Sequence, residues 1–170
     1  MTLRTIITPE NPVLRKKAIK VTSFDANFQK LVDDMVETLA AAPGVGLAAP
    51  QIGVSQRLIV IRLPEDKEEY GENSDKTFVV ANPKIIKTSK KIVEGTEGCL
   101  SIPGFLGEVD RHETVVVTGQ DRNGKDFRVK ADGWFARIFQ HEIDHLEGIL
   151  YIDRTDKVWK QKDEEKEPEV

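Results

Sequence analysis

Apolar residues recur at helical spacing in two stretches of the chain, one in each half. From residue 28 to residue 39 they lie mostly three or four positions apart, which predicts an amphipathic helix with one buried face. Ser23 or Asp25 can cap the start of this helix, and Pro43-Gly44 ends it. The apolar stripe consists of Phe28, Leu31, Val32, Met35, Val36 and Leu39.

A second helix is predicted closer to the C-terminal end, from Gly133 to about Glu147. Asp132 is a candidate N-cap, and Gly148 is a candidate terminator. The predicted buried face follows the spacing i, i+4, i+7 and i+11. It consists of Trp134, Ile138, His141 and His145. Two of the 3 histidines in the sequence therefore lie on a face that is expected to be buried.

Shorter runs rich in β-branched residues predict strands between these helices. One strand is predicted for Arg57–Leu63. A second, Thr77–Ile86, is interrupted at Asn82-Pro83, which indicates a bend or an edge position. Residues 64–76 between the two strands are strongly acidic and have no apolar periodicity. They are predicted to form a solvated loop, which could be the tip of a hairpin.

Two more β-rich runs, Glu108–Gln120 and Lys125–Lys130, flank the segment Asp121–Gly124. Its Asp-Arg-Asn-Gly sequence favours a hairpin turn. His112 lies in the first run, and we interpret it as an ordinary strand residue. The predicted fold class is α+β: antiparallel strands packed around a central C-terminal motif helix, with an earlier amphipathic helix.

Length and composition fit a single domain in a reducing compartment. The chain has 170 residues, and we expect one domain over residues 1–155 and a charged, flexible tail over residues 156–170. A net charge of −4 without a basic stripe argues against nucleic-acid binding. Cys99 is the only cysteine, so no intramolecular disulfide can form. Without a membrane-spanning apolar run or a signal-peptide core, the expected location is cytoplasmic.

The two helical histidines belong to the segment Gln140–His145, of sequence QHEIDH. On a helix, side chains four positions apart lie about 40° apart, so His141 and His145 can bind one metal ion. Glu142 projects into the same arc and can act beside the remaining coordination position. Asp144 points to the other side of His141, which favours a supporting or packing role.

A catalytic site of this kind needs a third ligand, and Cys99 is the candidate. It lies in Glu97–Ser101, a glycine-flanked bend of sequence EGCLS, where the backbone can approach a ligand closely. Two imidazoles and one thiolate would leave a fourth position open, as in catalytic metal sites. Glu97 is expected to support these ligands or to form a salt bridge near them.

The segment from Gly44 to Gly53 is rich in small residues. Its start matches the G-x-G-x-x-A pattern of dinucleotide-binding sites, but it follows a helix instead of a strand. Pro50 also prevents the helix that would bind the pyrophosphate. The small residues instead indicate backbone that a ligand approaches closely. Gln51 is a polar side chain among them and needs a hydrogen-bond partner if it is buried.

Together these three segments resemble the signature motifs of the peptide deformylase family. GVGLAAPQ at 44–51, EGCLS at 97–101 and QHEIDH at 140–145 are similar to that family's motifs and occur in the same order. The resemblance covers roughly residues 1–155. It implies a metal-dependent hydrolase that removes the N-formyl group from the N-terminal formyl-methionine of newly made polypeptides and releases formate.

The resemblance also implies roles for individual residues of this sequence. The implied metal ligands are Cys99, His141 and His145. The implied catalytic groups are Glu142 as general base, with the Gln51 side-chain amide and the Leu100 backbone N–H as oxyanion donors. The implied peptide-binding backbone is that of Val45, Gly46 and Gly98. The implied methionine pocket is lined by Val45, Trp134, Ile138 and the stem of Arg137.

The implied cofactor is one divalent metal ion, Fe²⁺ in the cell, with Zn²⁺, Ni²⁺ or Co²⁺ able to occupy the site. Such an ion lowers the pKa of water toward about 7, and one oxyanion donor contributes on the order of 3–4 kcal/mol. The implied partners are formyl-methionyl nascent peptides, with transient proximity to the ribosome. Docking through a C-terminal helix is not expected, because this end of the chain is acidic and contains proline.

Two other functions stay open on sequence grounds. A zinc peptidase of the HExxH type would need a third ligand downstream of His145, where Glu147 lies too close in sequence to serve. A non-enzymatic domain with a structural metal would need a fourth protein ligand, for which His112 is the candidate.

Overall fold

The computed structural model describes residues 2–162, which form eight strands and three α-helices. The strands are β1 (Gly46–Ala48), β2 (Leu58–Arg62), β3 (Thr77–Thr88), β4 (Ile92–Cys99), β5 (Ile102–His112), β6 (Thr114–Gln120), β7 (Asp126–Asp132) and β8 (Val158–Lys160). The helices are α1 (Ala26–Ala40), α2 (Lys67–Tyr70) and α3 (Gly133–Leu146). A five-stranded sheet has the order β1-β2-β3-β6-β7, and a three-stranded sheet has the order β4-β5-β8. All these neighbours pair antiparallel, which confirms the predicted α+β class.

Helices α1 and α3 lie on opposite faces of the five-stranded sheet. Side chains alternate along a strand, so Leu58 and Val60 of β2 pack with α1, whereas Ile59 and Ile61 pack with α3. The predicted stripe of α1 is buried, except that Val36 is only partly so. Of the two candidate caps, Asp25 serves: its carboxylate accepts hydrogen bonds from the backbone N–H groups of residues 27 and 28.

Helix α3 is buried along one continuous run, Phe135–Leu146, because it packs against strands of both sheets. The predicted placement of Trp134 on the buried face is wrong: its side chain lies in the first turn and is 37% exposed. Asp132 is the N-cap residue by position, but its carboxylate accepts a hydrogen bond from the Thr114 hydroxyl instead of capping the helix.

Strand β3 bends where the sequence is interrupted by Asn82-Pro83. Asn82 has a φ of 51°, and the pairing register with β6 shifts between Ala81 and Lys84. Asparagine tolerates this left-handed backbone, and its side chain here bonds both backbone groups of Val21. The bend is therefore confirmed. The alternative edge position is wrong, because β3 pairs with β2 on one side and β6 on the other.

The β-rich run Glu108–Gln120, predicted as one element, belongs to two strands in different sheets. Strand β5 ends at His112 and β6 starts at Thr114. Between them Glu113 donates its backbone N–H to the Lys91 carbonyl and accepts a bond from the Gly133 N–H. The alternation of buried and exposed side chains gives no sign of this change from one sheet to the other, because each of the two strands has one buried face.

The acidic segment 64–76 connects β2 to β3, so it lies at the tip of a hairpin. It contains the short helix α2, whereas the sequence predicts only a loop. The Asp66 carboxylate caps this helix by accepting bonds from the N–H groups of residues 68 and 69. No residue of α2 is buried, which is why apolar periodicity gives no signal for it.

Part of the predicted tail is paired in a sheet. Strand β8 pairs with β5 in the register Phe105–Lys160, Leu106–Trp159 and Gly107–Val158. Residues 158–160 therefore extend the three-stranded sheet, contrary to a flexible tail that starts at residue 156. The last part of the predicted tail, residues 163–170, lies outside the described residues.

Candidate active site

Three predicted metal ligands meet where α3 passes the end of β4. The rings of His141 and His145 have a centroid separation of 5.0 Å, as expected one turn apart on a helix. Cys99 is the last residue of β4, and its Sγ atom lies 3.3 Å from Nε2 of His145. One ligand atom from each of the three residues lies within 4.8 Å of the others.

This arrangement fits a single metal ion. Ligand atoms about 2.0–2.3 Å from a tetrahedral ion are separated from one another by roughly 3.3–3.8 Å. The sulfur-to-nitrogen distance of 3.3 Å falls at the lower end of that range. Residue Glu142 beside the ligands carries a buried oxygen, Oε2, that has no hydrogen-bond partner within the described part of the chain. The donor set and this unpaired oxygen are compatible with an ion and its water.

Glu97 fixes the orientation of His141. Its Oε2 atom lies 2.9 Å from Nδ1 of His141, which leaves Nε2 of that ring free to bind a metal. Burial by itself would raise the pKa of Glu97, but hydrogen bonds from His141 and Arg111 lower it to about 2. Glu97 therefore stays ionised while it is buried, and it combines the two roles expected for it.

Two arginines that the sequence did not single out complete this network. Arg111 donates from Nε and Nη2 to the Glu97 carboxylate at 2.9 and 3.0 Å, and from Nη1 to Asp144 at 2.6 Å. Arg154 donates to the same Asp144 from the outer side. Asp144 thus has the supporting position predicted for it. The inward alternation of Arg111 with Val109 on β5 was the signal that could have identified it.

The guanidinium of Arg137 forms contacts that the sequence did not predict. Its stem lines the cleft described below, but its guanidinium is buried and donates to Glu97 at 2.9 Å. It also donates to the backbone carbonyls of Val93, Gly95 and Val109. Val93 and Gly95 belong to β4 and Val109 belongs to β5, so Arg137 joins both strands to α3.

Glu142 is buried against the small-residue segment. A Cβ atom on Gly46 would overlap the Glu142 carboxylate, so the carboxylate fits only because residue 46 is glycine. Burial raises the pKa of Glu142 to about 7; the nearby Glu97 charge also raises it, and His141 opposes the change. A carboxylate with this pKa can exchange a proton near neutral pH.

Gln51 is held beside the cysteine, as a predicted oxyanion donor should be. Its Oε1 atom accepts a hydrogen bond from the Ala48 N–H at 2.8 Å, which fixes the amide plane. Its Nε2 atom lies 3.3 Å from the Ser101 hydroxyl and 3.6 Å from the Cys99 sulfur. Leu100 follows the shift in pairing register at Cys99. Both predicted donors therefore lie next to the ligand from β4.

One cleft of about 650 Å³ brings most of the predicted residues together. Its predicted ligands and catalytic residues are Cys99, His141, Glu142, Gln51 and Leu100. Its predicted peptide-binding residues are Val45, Gly46, Gly98, Trp134, Arg137 and Ile138. His145 is not among the lining residues and lies behind them. His112 is outside the ligand group, and its Nδ1 atom lies 2.8 Å from the Ser89 carbonyl oxygen.

A three-ligand centre in an open cleft, with a buried carboxylate beside it, is typical of metal-dependent hydrolases. The sequence profile described as Polypeptide deformylase matches residues 3–161. A peptide deformylase of Symbiobacterium thermophilum is 51% identical over 173 aligned residues, covering 100% of this chain and 76% of that protein. The chain therefore belongs to the peptide deformylase family, as its motifs predict.

Solved structures of the same family share the fold. The peptide deformylase of Legionella pneumophila is 43% identical with a TM-score of 0.82, covering 91% of this chain and 86% of that one. A peptide deformylase of Acinetobacter baumannii, solved with Met-Ala-Ser bound, is 32% identical with a TM-score of 0.83. That match covers 90% of this chain and 98% of the other. No helix within residues 2–162 is long and apolar enough to cross a membrane.

Proposed function

We propose that this chain hydrolyses the N-formyl group of formyl-methionyl nascent peptides and releases formate. The observation that carries the proposal is the position of Glu142 beside three metal-ligand side chains in an open cleft. One of its carboxylate oxygens is buried and has no hydrogen-bond partner among residues 2–162. The related A. baumannii enzyme with Met-Ala-Ser bound supports a peptide that starts with methionine as the occupant.

In this proposal each catalytic residue acts at a defined atom. Cys99, His141 and His145 would hold a divalent ion, which supplies an acidified water and polarises the formyl carbonyl. Glu142 takes the proton of the attacking water and later delivers it to the departing amine. Gln51 Nε2 and the Leu100 N–H donate hydrogen bonds to the oxygen that gains negative charge. The Glu97 carboxylate keeps the His141 ring in place throughout.

The peptide would lie extended against free backbone groups of the cleft. Among residues 2–162, strand β1 pairs with β2 alone, so the other edge of β1, at Gly46, can accept a peptide strand. Gly98, at the end of β4, would contact the same peptide from the opposite side. The methionine side chain would fill the apolar space between Val45, Ile138 and the stem of Arg137, with Trp134 at its mouth.

The three ligand side chains, one thiolate and two imidazoles, bear on which metal ion binds. One thiolate gives a divalent ion a net charge of about +1 and makes the site softer than three imidazoles would. We propose Fe²⁺ as the ion in the cell, with Zn²⁺, Ni²⁺ or Co²⁺ able to bind to the same ligands.

The proposed location is the cytoplasm, where nascent chains occur, with transient proximity to the ribosome. The free thiol of Cys99 agrees with that reducing compartment.

A formate-release assay tests the proposal. Protein loaded with one defined metal is incubated with formyl-Met-Ala-Ser, and formate and peptide products are measured. We expect formate and Met-Ala-Ser, with activity lost on chelation and restored by metal. Cleavage inside the peptide would favour the zinc peptidase alternative. Stoichiometric metal without formate or cleavage would favour a structural metal domain.

A further inference from the structure

Ser101 is a polar residue beside the two proposed oxyanion donors that has no part in the proposed chemistry. It is fully buried, and its hydroxyl oxygen lies 3.3 Å from Nε2 of Gln51. Resting on the proposed function, we propose that Ser101 is a positioning residue. Its hydroxyl accepts a hydrogen bond from the Gln51 side-chain amide and thereby holds that donor at a fixed position relative to the Leu100 N–H.

The two oxyanion donors come from different parts of the fold. Gln51 lies in a short 3₁₀ turn after β1, whereas Leu100 lies between β4 and β5. Cys99 pairs with Ile102, so Leu100 and Ser101 form a two-residue turn between these strands. Because Ser101 directly follows Leu100 in this tight turn, a group that is bonded to Ser101 is also held close to Leu100.

Two hydrogen bonds fix the direction in which the Gln51 amide can donate to a substrate. A carboxamide has one acceptor oxygen and two N–H donors. The Gln51 oxygen accepts from the Ala48 N–H at 2.8 Å, and one of its N–H groups donates to Ser101. The amide nitrogen also lies 3.6 Å from the Cys99 sulfur, which is a weak acceptor. The second N–H is therefore available to the substrate oxygen, and the bonds to Ala48 and Ser101 set its direction.

Packing holds the turn that contains Leu100 and Ser101 in place. The Leu100 side chain lies against Gly44, where a Cβ atom would come within 3.0 Å of it. The same side chain packs against the buried cluster that includes Ile52, the neighbour of Gln51. A fixed turn matters because oxyanion donors stabilise a transition state best when they are in place before the charge develops. Loss of the Ser101 hydroxyl would remove the bond that fixes the nitrogen end of the Gln51 amide.

The first test measures kcat and KM of Ser101→Ala with formyl-Met-Ala-Ser, on the metal-loaded full chain and per bound metal. We expect kcat to fall about three- to tenfold, as for the loss of one neutral hydrogen bond. KM should change by less than about twofold, because oxyanion donors act mainly in the transition state. The matched control is Ser89→Ala, which removes a hydroxyl bonded to Lys91 and Thr114 away from the cleft. An unchanged kcat in Ser101→Ala, or an equal fall in Ser89→Ala, would overturn the proposal.

A second test separates positioning from a general loss of folding. If Ser101 acts through Gln51, Ser101→Ala should change kcat by less than about twofold when Gln51→Ala is already present. The same fall in both backgrounds, in an enzyme that releases formate, overturns the role of Ser101 alone. If the unchanged protein releases no formate from formyl-Met-Ala-Ser, the proposed function fails and the role of Ser101 fails with it.

A third measurement does not depend on turnover. In the zinc-loaded protein, the side-chain amide protons of Gln51 give NMR signals that are identified by their absence in Gln51→Ala. These signals should shift in Ser101→Ala and keep their positions in Ser89→Ala, because only the first substitution removes a bond to the amide. Unchanged signals in Ser101→Ala would show that Ser101 does not hold the amide and would overturn the proposal.

Discussion

Helices α1 and α3 are of nearly equal length, 15 and 14 residues, and pack on opposite faces of one sheet, yet they bury different chemistry. The buried face of α1 is mostly apolar and includes Asp34 and Thr38 as its polar members. On α3 half of the buried run is polar or charged: Arg137, Gln140, His141, Glu142, Asp144 and His145. A similar amphipathic pattern therefore serves stability in one helix and a proposed active site in the other.

The difference shows how a fold can hold a polar site in its interior. Burying a polar group costs free energy unless it is hydrogen-bonded. Most polar groups of α3 have partners from β4 and β5, such as Arg111 with Asp144. The exceptions on α3 are Glu142 Oε2 and His145 Nδ1, which have no partner within the described residues. Unpaired polar atoms on α3 thus lie in the residues of the proposed centre.

The largest expected effect is the loss of turnover in Glu142→Gln. Removing a general base lowers kcat by about 10²–10⁴-fold, while the three metal ligands stay in place. The measurements are formate release and metal content per chain. The matched control on α1 is Glu37→Gln, because Glu37 also has a buried carboxylate oxygen without a hydrogen-bond partner in the described part of the chain. Substantial activity in Glu142→Gln, or equal losses in both variants, would remove the contrast between the helices.

The next effect is a loss of stability without a loss of activity. Met35 of α1 is fully buried in the core cluster on the far side of the sheet from α3. Met35→Ala should lower the free energy of unfolding by about 2–5 kcal/mol, because it removes buried apolar contacts and leaves a cavity. Urea unfolding measures this change, and kcat/KM below the transition should match that of the unchanged enzyme. A large change in kcat/KM would show that α1 is coupled to the site.

A smaller effect is expected for metal affinity in Glu97→Gln. The substitution weakens the bond to His141 Nδ1 and leaves two arginines facing a neutral side chain. Loss of such an orienting partner lowers metal affinity by about 10- to 100-fold. Competition with a chelator on the cobalt-loaded protein measures the affinity. Asp34→Asn, which alters the buried acid of α1, is the control and should leave metal affinity unchanged.

The smallest effect is a pH-dependent contribution of Asp34 to stability. A hydrogen bond from Lys30 is the largest cause that lowers the pKa of Asp34, from 3.8 to about 2; burial opposes it, and bonds from Thr2 and Arg4 assist. Because the folded pKa is depressed, this stabilisation is present above about pH 4 and is lost as the pH falls toward 2. The stability difference between the unchanged chain and Asp34→Asn should therefore shrink from pH 5 to pH 2.

Urea unfolding at several pH values measures that difference. Asp33→Asn is the control, since it removes a neighbouring charge whose side chain is 42% exposed. A difference between the unchanged chain and Asp34→Asn that stays constant down to pH 2 would contradict the prediction.

The sequence predicted the site best where all residues of a pattern lie in a single helix or strand. The spacing of His141 and His145 places both rings on one face of α3, and no other element is needed for that. Bends and turns marked by special residues, such as Asn82 in β3, were also predictable. Arg111, the partner of Glu97 on β5, was not, because a strand arginine shows its direction only when the buried face of β5 is known.

The sequence by itself determined the two main helices, the α+β class and the residues of the three motifs. Helical and strand periodicities are local properties, and the motifs are contiguous. The tertiary structure alone decided that Cys99 reaches His145 and that Arg111 and Arg154 hold the acids behind the ligands. Each of these contacts joins residues brought together by sheet pairing and by packing between elements. Such long-range pairing depends on the packing of the whole chain and leaves no local pattern in the sequence.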